Sequence, residues 1–139
     1  MSHAWGYAFA DVVQVLLEHE ERNPNSFFWF DLFTNNQHTA VALPQEWWAT
    51  TFRSAIGSIG QVLLVFTPWS KPVVTTRCWC LWEMQCALWE GADLAIGLPK
   101  AEEASLRKAM TSDVKSVMQH LSDIQSQEVV VLLFLPSCG

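Results

Sequence analysis

The stretch Gln61-Val62-Leu63-Leu64-Val65-Phe66-Thr67 decides the fold class, because it is a short and almost purely apolar run. Gly60 precedes it and Pro68 follows it, and both residue types interrupt regular structure. A run that is apolar on both faces is typical of an interior strand of a parallel sheet, whose two faces are covered by helices. The stretch therefore predicts a parallel strand in an α/β protein.

The segments on either side of this strand alternate between helical and extended patterns. Apolar spacing and turn residues predict four helical segments, Asp11–Arg22, Glu46–Ile59, Arg77–Glu90 and Ala101–Ser126. Thr75 or Thr76 is the predicted N-cap of the third segment, and the fourth is predicted to break at Thr111 and Ser112. Apolar runs predict further strands over Ser26–Phe33, Asp93–Leu98 and Val129–Leu135. Short connections between such elements favour a mostly parallel sheet of four or five strands with helices on both faces. Residues 1–139 are predicted to form one domain, since no repeat or linker interrupts them.

The composition excludes several classes of protein. The 139 residues are 50% hydrophobic and 16% charged, which is too apolar for a disordered chain and too poor in charge for a free-standing coiled coil. A formal net charge of -6 argues against electrostatic capture of nucleic acid. Eight tryptophans against one tyrosine indicate either aromatic walls around a ligand or an unusually stiff core.

The sequence also indicates a compartment. No apolar run reaches the roughly 20 residues of a membrane-spanning helix, and the start of the chain does not read as a secretory signal. Four cysteines without such a signal indicate free thiols and a cytoplasmic location. A metal site is not expected, because Cys78 and Cys80 would point in different directions on a helix.

The clearest chemical feature is an aromatic residue and a carboxylate four positions apart, Trp79 and Glu83. On a helix they share one face, so that a cationic ring can stack on the indole while the carboxylate stabilises developing positive charge on a sugar. The alternative is an exposed helical glutamate beside a half-buried tryptophan. Ligand crevices of parallel sheets lie at the carboxyl ends of the strands, where Ser2–Tyr7, Thr34–Pro44 and Thr67–Thr76 form loops.

Several motifs resemble the Toll/interleukin-1 receptor (TIR) domain family. Arg77-Cys78-Trp79-Cys80-Leu81-Trp82-Glu83 resembles the Ser-x-Trp-Cys-Leu-x-Glu segment of plant TIR domains and is the most specific of the motifs. Weaker similarities are Ser2-His3-Ala4-Trp5 to the first loop, Val65-Phe66-Thr67-Pro68 to the third strand and Asp93–Pro99 to the fourth strand. Together with Phe30–His38 and Trp47-Trp48, the set resembles TIR-like modules of algal and protist proteins, over about residues 2–99.

The resemblance implies a flavodoxin-like three-layer sandwich and, in enzymatic members, cleavage of the N-glycosidic bond of NAD with release of nicotinamide. Glu83 takes the position of the catalytic glutamate, which holds the ribose hydroxyls and stabilises the oxocarbenium ion. The substrate-binding residues implied by the resemblance are Trp79, Trp5, Phe33, Asn36 and Cys80, the last matching a plant cysteine linked to cyclic-nucleotide formation. NAD is then the substrate, and neither a separate cofactor nor a metal ion is expected.

Two other functions stay open at this point. Many TIR domains are non-enzymatic adaptors that assemble with further copies, and here the polar loop with Asn35, Asn36 and His38 would form the contact. A nucleoside-processing enzyme of flavodoxin-like topology would also use Glu83, to bind ribose. Self-association is expected for the enzyme as well, because enzymatic TIR domains complete their site when packed side by side.

The sequence departs from the family at the first strand. Only Met1 and Ser2 precede the first loop, too few for a strand that lies between the second and third strands in the family. Val129–Leu135 is apolar on both faces and could fill that central slot. The family instead implies that this run forms a fifth strand at the sheet edge.

Overall fold

The computed structural model of the chain describes residues 1–30, 44, 46 and 48–123. These residues form a mixed α/β architecture, in which helices pack on both faces of a parallel pair of strands. The predicted strand Val129–Leu135 and most of the loop Thr34–Pro44 lie outside the described residues. So do two of the predicted site residues, Phe33 and Asn36.

The two strands are those that the apolar runs predicted. Strand β1 spans Gln61–Val65 and strand β2 spans Asp93–Gly97. They pair in parallel over their whole length, from Gln61 opposite Asp93 to Val65 opposite Gly97. Residues 62–65 of β1 are all buried, as expected of an interior strand, whereas β2 is largely exposed.

The amino terminus occupies the position beside β1. The Ser2 N–H donates to the carbonyl of Leu63 over 2.8 Å, and the Ser2 carbonyl accepts from the N–H of Val65 over 3.0 Å, which makes a one-residue parallel bridge. On its other side the amino group of Met1 donates to the carbonyl of Trp29 over 3.0 Å. The order across the sheet is therefore the segment around Trp29, the amino terminus, β1 and β2.

The strand predicted over Ser26–Phe33 is wrong for its described part, because residues 26–30 have no regular structure. The backbone contact that the structure shows for this segment is one hydrogen bond, from the amino group of Met1 to the carbonyl of Trp29. One such bond does not make the repeating ladder that defines a strand. Phe30 of this segment is still buried in the core, whereas Phe27 is exposed.

Helix α1 spans Phe9–Arg22 and confirms the helix predicted over Asp11–Arg22. Its stripe of Val12 and Val15 is buried against Leu63 of β1. The helix also crosses β2 very closely, because a Cβ atom added at Gly97 would overlap a methyl group of Val15. The absence of a side chain at this glycine sets how closely helix and sheet approach.

The opposite face of the sheet is covered by helices α2 and α3. Helix α2 spans Arg53–Ile59 and continues from a π-helical turn, Trp48–Phe52, where the sequence predicted one helix over Glu46–Ile59. It ends at Gly60, which adopts the left-handed conformation with φ of 78°. Helix α3 spans Cys78–Glu90 and buries much of its surface against Val62 and Leu64 of β1.

Two predicted helix caps are wrong. Thr75 and Thr76 do not cap α3, because their hydroxyls donate to the carbonyls three residues earlier, each over 2.8 Å, within a 3₁₀ turn over Val73–Thr76. Helix α4 spans Lys100–Ser112, and residues 114–123 are again helical. The break is at Asp113, whose carboxylate accepts the N–H of Ser116 over 3.0 Å, rather than at Thr111 and Ser112.

Candidate functional site

Glu83 lies in the second turn of α3 and is only 5% exposed. It is buried because α3 turns that side toward the core, where Cys80, Leu81, Met84 and Ala87 are buried as well. The alternative of an exposed helical glutamate is therefore wrong. A buried carboxylate is uncommon, because removing its charge from water is costly unless the surroundings compensate.

An aromatic stack borders this carboxylate. The rings of Trp29 and Phe52 lie 5.3 Å apart, and those of Phe52 and Trp79 lie 5.0 Å apart, which are normal separations for packed aromatic pairs. Trp79 is half-buried, which is the part of the alternative interpretation that the structure does show. Phe52 thus joins the tryptophan of α3 to the aromatic segment beside the amino terminus.

Glu83 lines a pocket of about 150 Å³ at the amino end of β1. Its walls come from the amino terminus, the aromatic segment, α2 and the start of β1. The lining residues are Met1, His19, Ser26, Phe27, Phe28, Trp29, Phe52, Ile56, Ile59, Gln61, Val62, Leu63 and Glu83. The pocket is thus mainly apolar and aromatic, with a carboxylate and the amino-terminal residue among its polar groups.

The predicted site residues do not all meet in this pocket. Trp79 is outside its lining and packs behind Phe52 instead. Trp5 is 64% exposed and lies in the loop after the Ser2 bridge, at the other end of the sheet. The crevice was expected at the carboxyl ends of the strands, whereas the pocket that contains Glu83 lies at their amino ends.

The loops at the carboxyl end are tied together by hydrogen bonds. The Val74 N–H donates to the Tyr7 hydroxyl over 3.1 Å, and the thiol of Cys80 donates to the carbonyl of His3 over 3.4 Å. Burial raises the pKa of Tyr7 above its ordinary value, although hydrogen bonds from the backbone, that of Val74 first, act in the opposite direction. The imidazole of His3 packs edge-on against Phe30.

Two of the cysteines are shielded from solvent. Cys80 and Cys86 are buried, whereas Cys78 is exposed, and burial raises the pKa of the Cys86 thiol to about 11. A thiol that stays protonated at neutral pH is a poor nucleophile and a poor metal ligand. Among the described residues, no group of three or more histidine, cysteine and acidic side chains could hold a metal ion.

Sequence reasoning missed Trp29 and Phe52 as walls of the pocket. The aromatic run Ser26–Phe33 was the available signal, but it was assigned to a buried strand. Phe52 comes from the predicted helix and gave no signal of its own, because its approach to Trp29 depends on the packing of distant segments.

None of the helices in the described residues is long and apolar enough to cross a membrane. Comparison with protein-family models, with curated proteins and with solved structures finds no match.

Proposed function

We propose that this chain is a TIR-like signalling domain that cleaves NAD and releases nicotinamide, with Glu83 as its essential carboxylate. The observation that carries the proposal is the burial of Glu83 in a pocket with aromatic walls. The motif Trp79-Cys80-Leu81-Trp82-Glu83, which resembles the plant TIR segment, supports the same assignment. The order of segments across the sheet supports a flavodoxin-like sandwich as its fold.

The chemistry requires a negative charge that is shielded from water. As the bond between nicotinamide and ribose breaks, positive charge develops on the sugar, and a carboxylate held nearby stabilises it. The effect is larger in a pocket of low polarity than in water. Indole and phenyl rings, such as those of Trp29 and Phe52, bind a cationic heterocycle on their faces.

The size of the pocket supports a role for self-association. A cavity of about 150 Å³ accommodates one aromatic ring, whereas sites for larger ligands measure roughly 300–1,000 Å³. A dinucleotide therefore needs contacts beyond this pocket. We expect these from Phe33, Asn36 and a second copy of the chain, with the protein acting in the cytoplasm.

Nicotinamide release tests the proposal. Glu83→Gln keeps the shape of the side chain but removes its charge, so we expect at least a ~100-fold lower rate than that of the unchanged chain. Glu20→Gln is the control, since Glu20 is exposed on α1. Equal rates for Glu83→Gln and the unchanged chain would exclude Glu83 as the essential group. No release by the self-associated unchanged chain would exclude the enzyme.

A second candidate function is a non-enzymatic assembly module. The observation in its favour is that Trp5 and Glu83 lie toward opposite ends of the sheet, so the residues predicted for one site do not share one pocket. In that case Glu83→Gln leaves self-association unchanged, and Asn36→Ala or His38→Ala abolishes it. Nicotinamide release, measured on samples whose association is followed by light scattering with and without NAD, distinguishes the two functions, because only the enzyme combines association with turnover.

A further inference from the structure

His19 lines the pocket that contains Glu83, and it comes from the opposite face of the sheet. It lies in the last turn of α1, one turn beyond Val15, so it continues the stripe that packs against the sheet. Helix α1 covers the face to which Leu63 of β1 points, whereas α3 covers the face to which Val62 points. Both of these strand residues line the pocket, so the pocket joins the two faces at the amino end of β1.

The imidazole of His19 has polar atoms that can bond a ligand. Its ring packs edge-on against Phe28, with 5.7 Å between the ring centroids, and Phe28 lines the pocket as well. The hydrogen bonds of this residue use its backbone carbonyl, which accepts from the N–H and from the side-chain amide of Asn23. Among the residues that the structure describes, neither ring nitrogen of His19 has a hydrogen-bond partner. Packing therefore holds the ring, and both of its nitrogens can bond a ligand in the pocket.

The charge of the leaving base decides what a glycosidic bond needs for its cleavage. The electron pair of the breaking bond stays with the base, so nicotinamide, which is cationic in NAD, leaves as a neutral molecule. A purine is neutral in a nucleoside and leaves as an anion, unless a proton reaches its N7 atom as the bond breaks. Histidine is the side chain that most often supplies such a proton near neutral pH. A carboxylate alone is thus sufficient for NAD, whereas a carboxylate with an imidazole also fits purine nucleosides.

We propose that this pocket also hydrolyses purine nucleosides, with Glu83 as the carboxylate and His19 as the proton donor. The inference rests on the role proposed for Glu83, and it adds a substrate class and a second catalytic residue. The ribose lies against Glu83, while the base stacks on the aromatic wall of Phe28 and Trp29 with its N7 toward His19. A nucleoside also needs fewer contacts outside this pocket than a dinucleotide does.

The reaction balances without a further reagent. The bond between C1′ and N9 breaks, its electron pair passes to the base, and the imidazolium of His19 gives its proton to N7. The base leaves as a neutral purine, and the Glu83 carboxylate stabilises the positive charge on the sugar. Water adds to C1′ and releases one proton, which restores the imidazolium. The products are the free base and ribose.

Three substrates and two histidine variants of the full chain test the inference. Guanosine has a neutral base, whereas 7-methylguanosine and NAD carry a positive charge on the base and need no proton. His19→Gln removes the proton donor, so we expect the release of guanine from guanosine to fall at least ~100-fold. Release of 7-methylguanine and of nicotinamide should stay unchanged, which also shows that the variant is folded. His120→Gln is the control for all three rates, because His120 packs against Trp69 and does not line this pocket.

The other outcomes separate this inference from the proposed function. Cleavage of NAD but not of guanosine by the unchanged chain would overturn the purine inference alone. A guanosine rate that His19→Gln leaves unchanged, or an equal loss with all three substrates, would overturn its role as proton donor. A guanosine rate that Glu83→Gln leaves unchanged would overturn the shared site. Cleavage of guanosine but not of NAD, lost in both variants, would support the inference and exclude NAD as the substrate.

Discussion

The two ends of the central sheet differ in how they are built. At the amino end, aromatic rings and the Glu83 carboxylate surround a pocket. At the carboxyl end, hydrogen bonds from Val74 to Tyr7 and from Cys80 to His3 tie the loops together. An open apolar pocket can admit a ligand ring, whereas loops whose polar groups bond each other keep a fixed shape. The proposed function assigns binding to the first end, and the hydrogen bonds at the second end position α3.

The largest effect on stability is expected at the amino end, from Phe52→Ala. Phe52 is 3% exposed and joins Trp29 to Trp79, so its removal leaves a cavity that costs about 3–5 kcal/mol of unfolding free energy. The control is Phe27→Ala, because Phe27 lines the same pocket but is 95% exposed. Urea denaturation of both variants gives the comparison, and Phe27→Ala should stay within about 0.5 kcal/mol of the unchanged chain.

A large loss for Phe27→Ala, or a small one for Phe52→Ala, would mean that the aromatic stack does not hold the pocket together. The pocket would then be a gap between loosely packed segments rather than a preformed site. That result would weaken the assignment of binding to the amino end.

A smaller effect is expected where α1 crosses the carboxyl end of β2. Gly97→Ala places a methyl group against Val15 and should lower the unfolding free energy by about 1–3 kcal/mol, the usual range for overpacking. Gly6→Ala is the matched control, because a Cβ atom there meets nothing within 4 Å. Val15→Ala should recover part of the loss in the double variant, as measured by thermal unfolding. Full additivity of the two substitutions would contradict the proposed overlap.

The sequence predicted the elements whose patterns are local. The apolar runs located β1 and β2, and apolar spacing with turn residues located α1 and the end of α3, after which Gly91 adopts the left-handed conformation. Thr75 and Thr76 were assigned to the cap of α3, but their hydroxyls bond backward to nearer carbonyls. A threonine hydroxyl can bond to several neighbouring backbone groups, and the one it bonds depends on the local backbone dihedral angles. The spacing of residues in the sequence does not determine those angles.

The candidate site was only partly predictable, for a similar reason. The spacing of Trp79 and Glu83 placed both on one side of α3, but it could not tell whether that side faces solvent or the core. Burial of Glu83 follows from the packing of α3 against β1 and against distant aromatic residues. Such contacts join parts of the chain that are far apart in sequence, so helical periodicity does not contain them.

The smallest effect is expected from Tyr7→Phe, which removes the hydroxyl that accepts the Val74 N–H. Loss of one such hydrogen bond costs about 0.5–1.5 kcal/mol. Tyr7 also contacts both groups of core residues, and phenylalanine preserves that packing. If Tyr7 positions the loop before α3, the variant loses this small amount of stability at neutral pH. No measurable loss would contradict a role for the hydroxyl in fixing the carboxyl end.

The pH dependence of the same residue provides a direct measurement. Tyr7 is the single tyrosine of the chain, so near-ultraviolet absorbance of tyrosinate reports this group alone. Burial raises its pKa in the folded state, so the folded protein holds the proton more tightly than the unfolded chain does. Its contribution to stability is therefore complete below the unfolded value of about 10 and is lost as the pH rises through the folded pKa. Burial of Cys86 acts in the same direction between pH 9 and about 11, so the unchanged chain should lose stability over this range. Tyr7→Phe should reduce that loss of stability without abolishing it. In the unchanged chain, a tyrosinate midpoint at or below pH 10 in the folded protein would show that the Tyr7 hydroxyl is open to solvent.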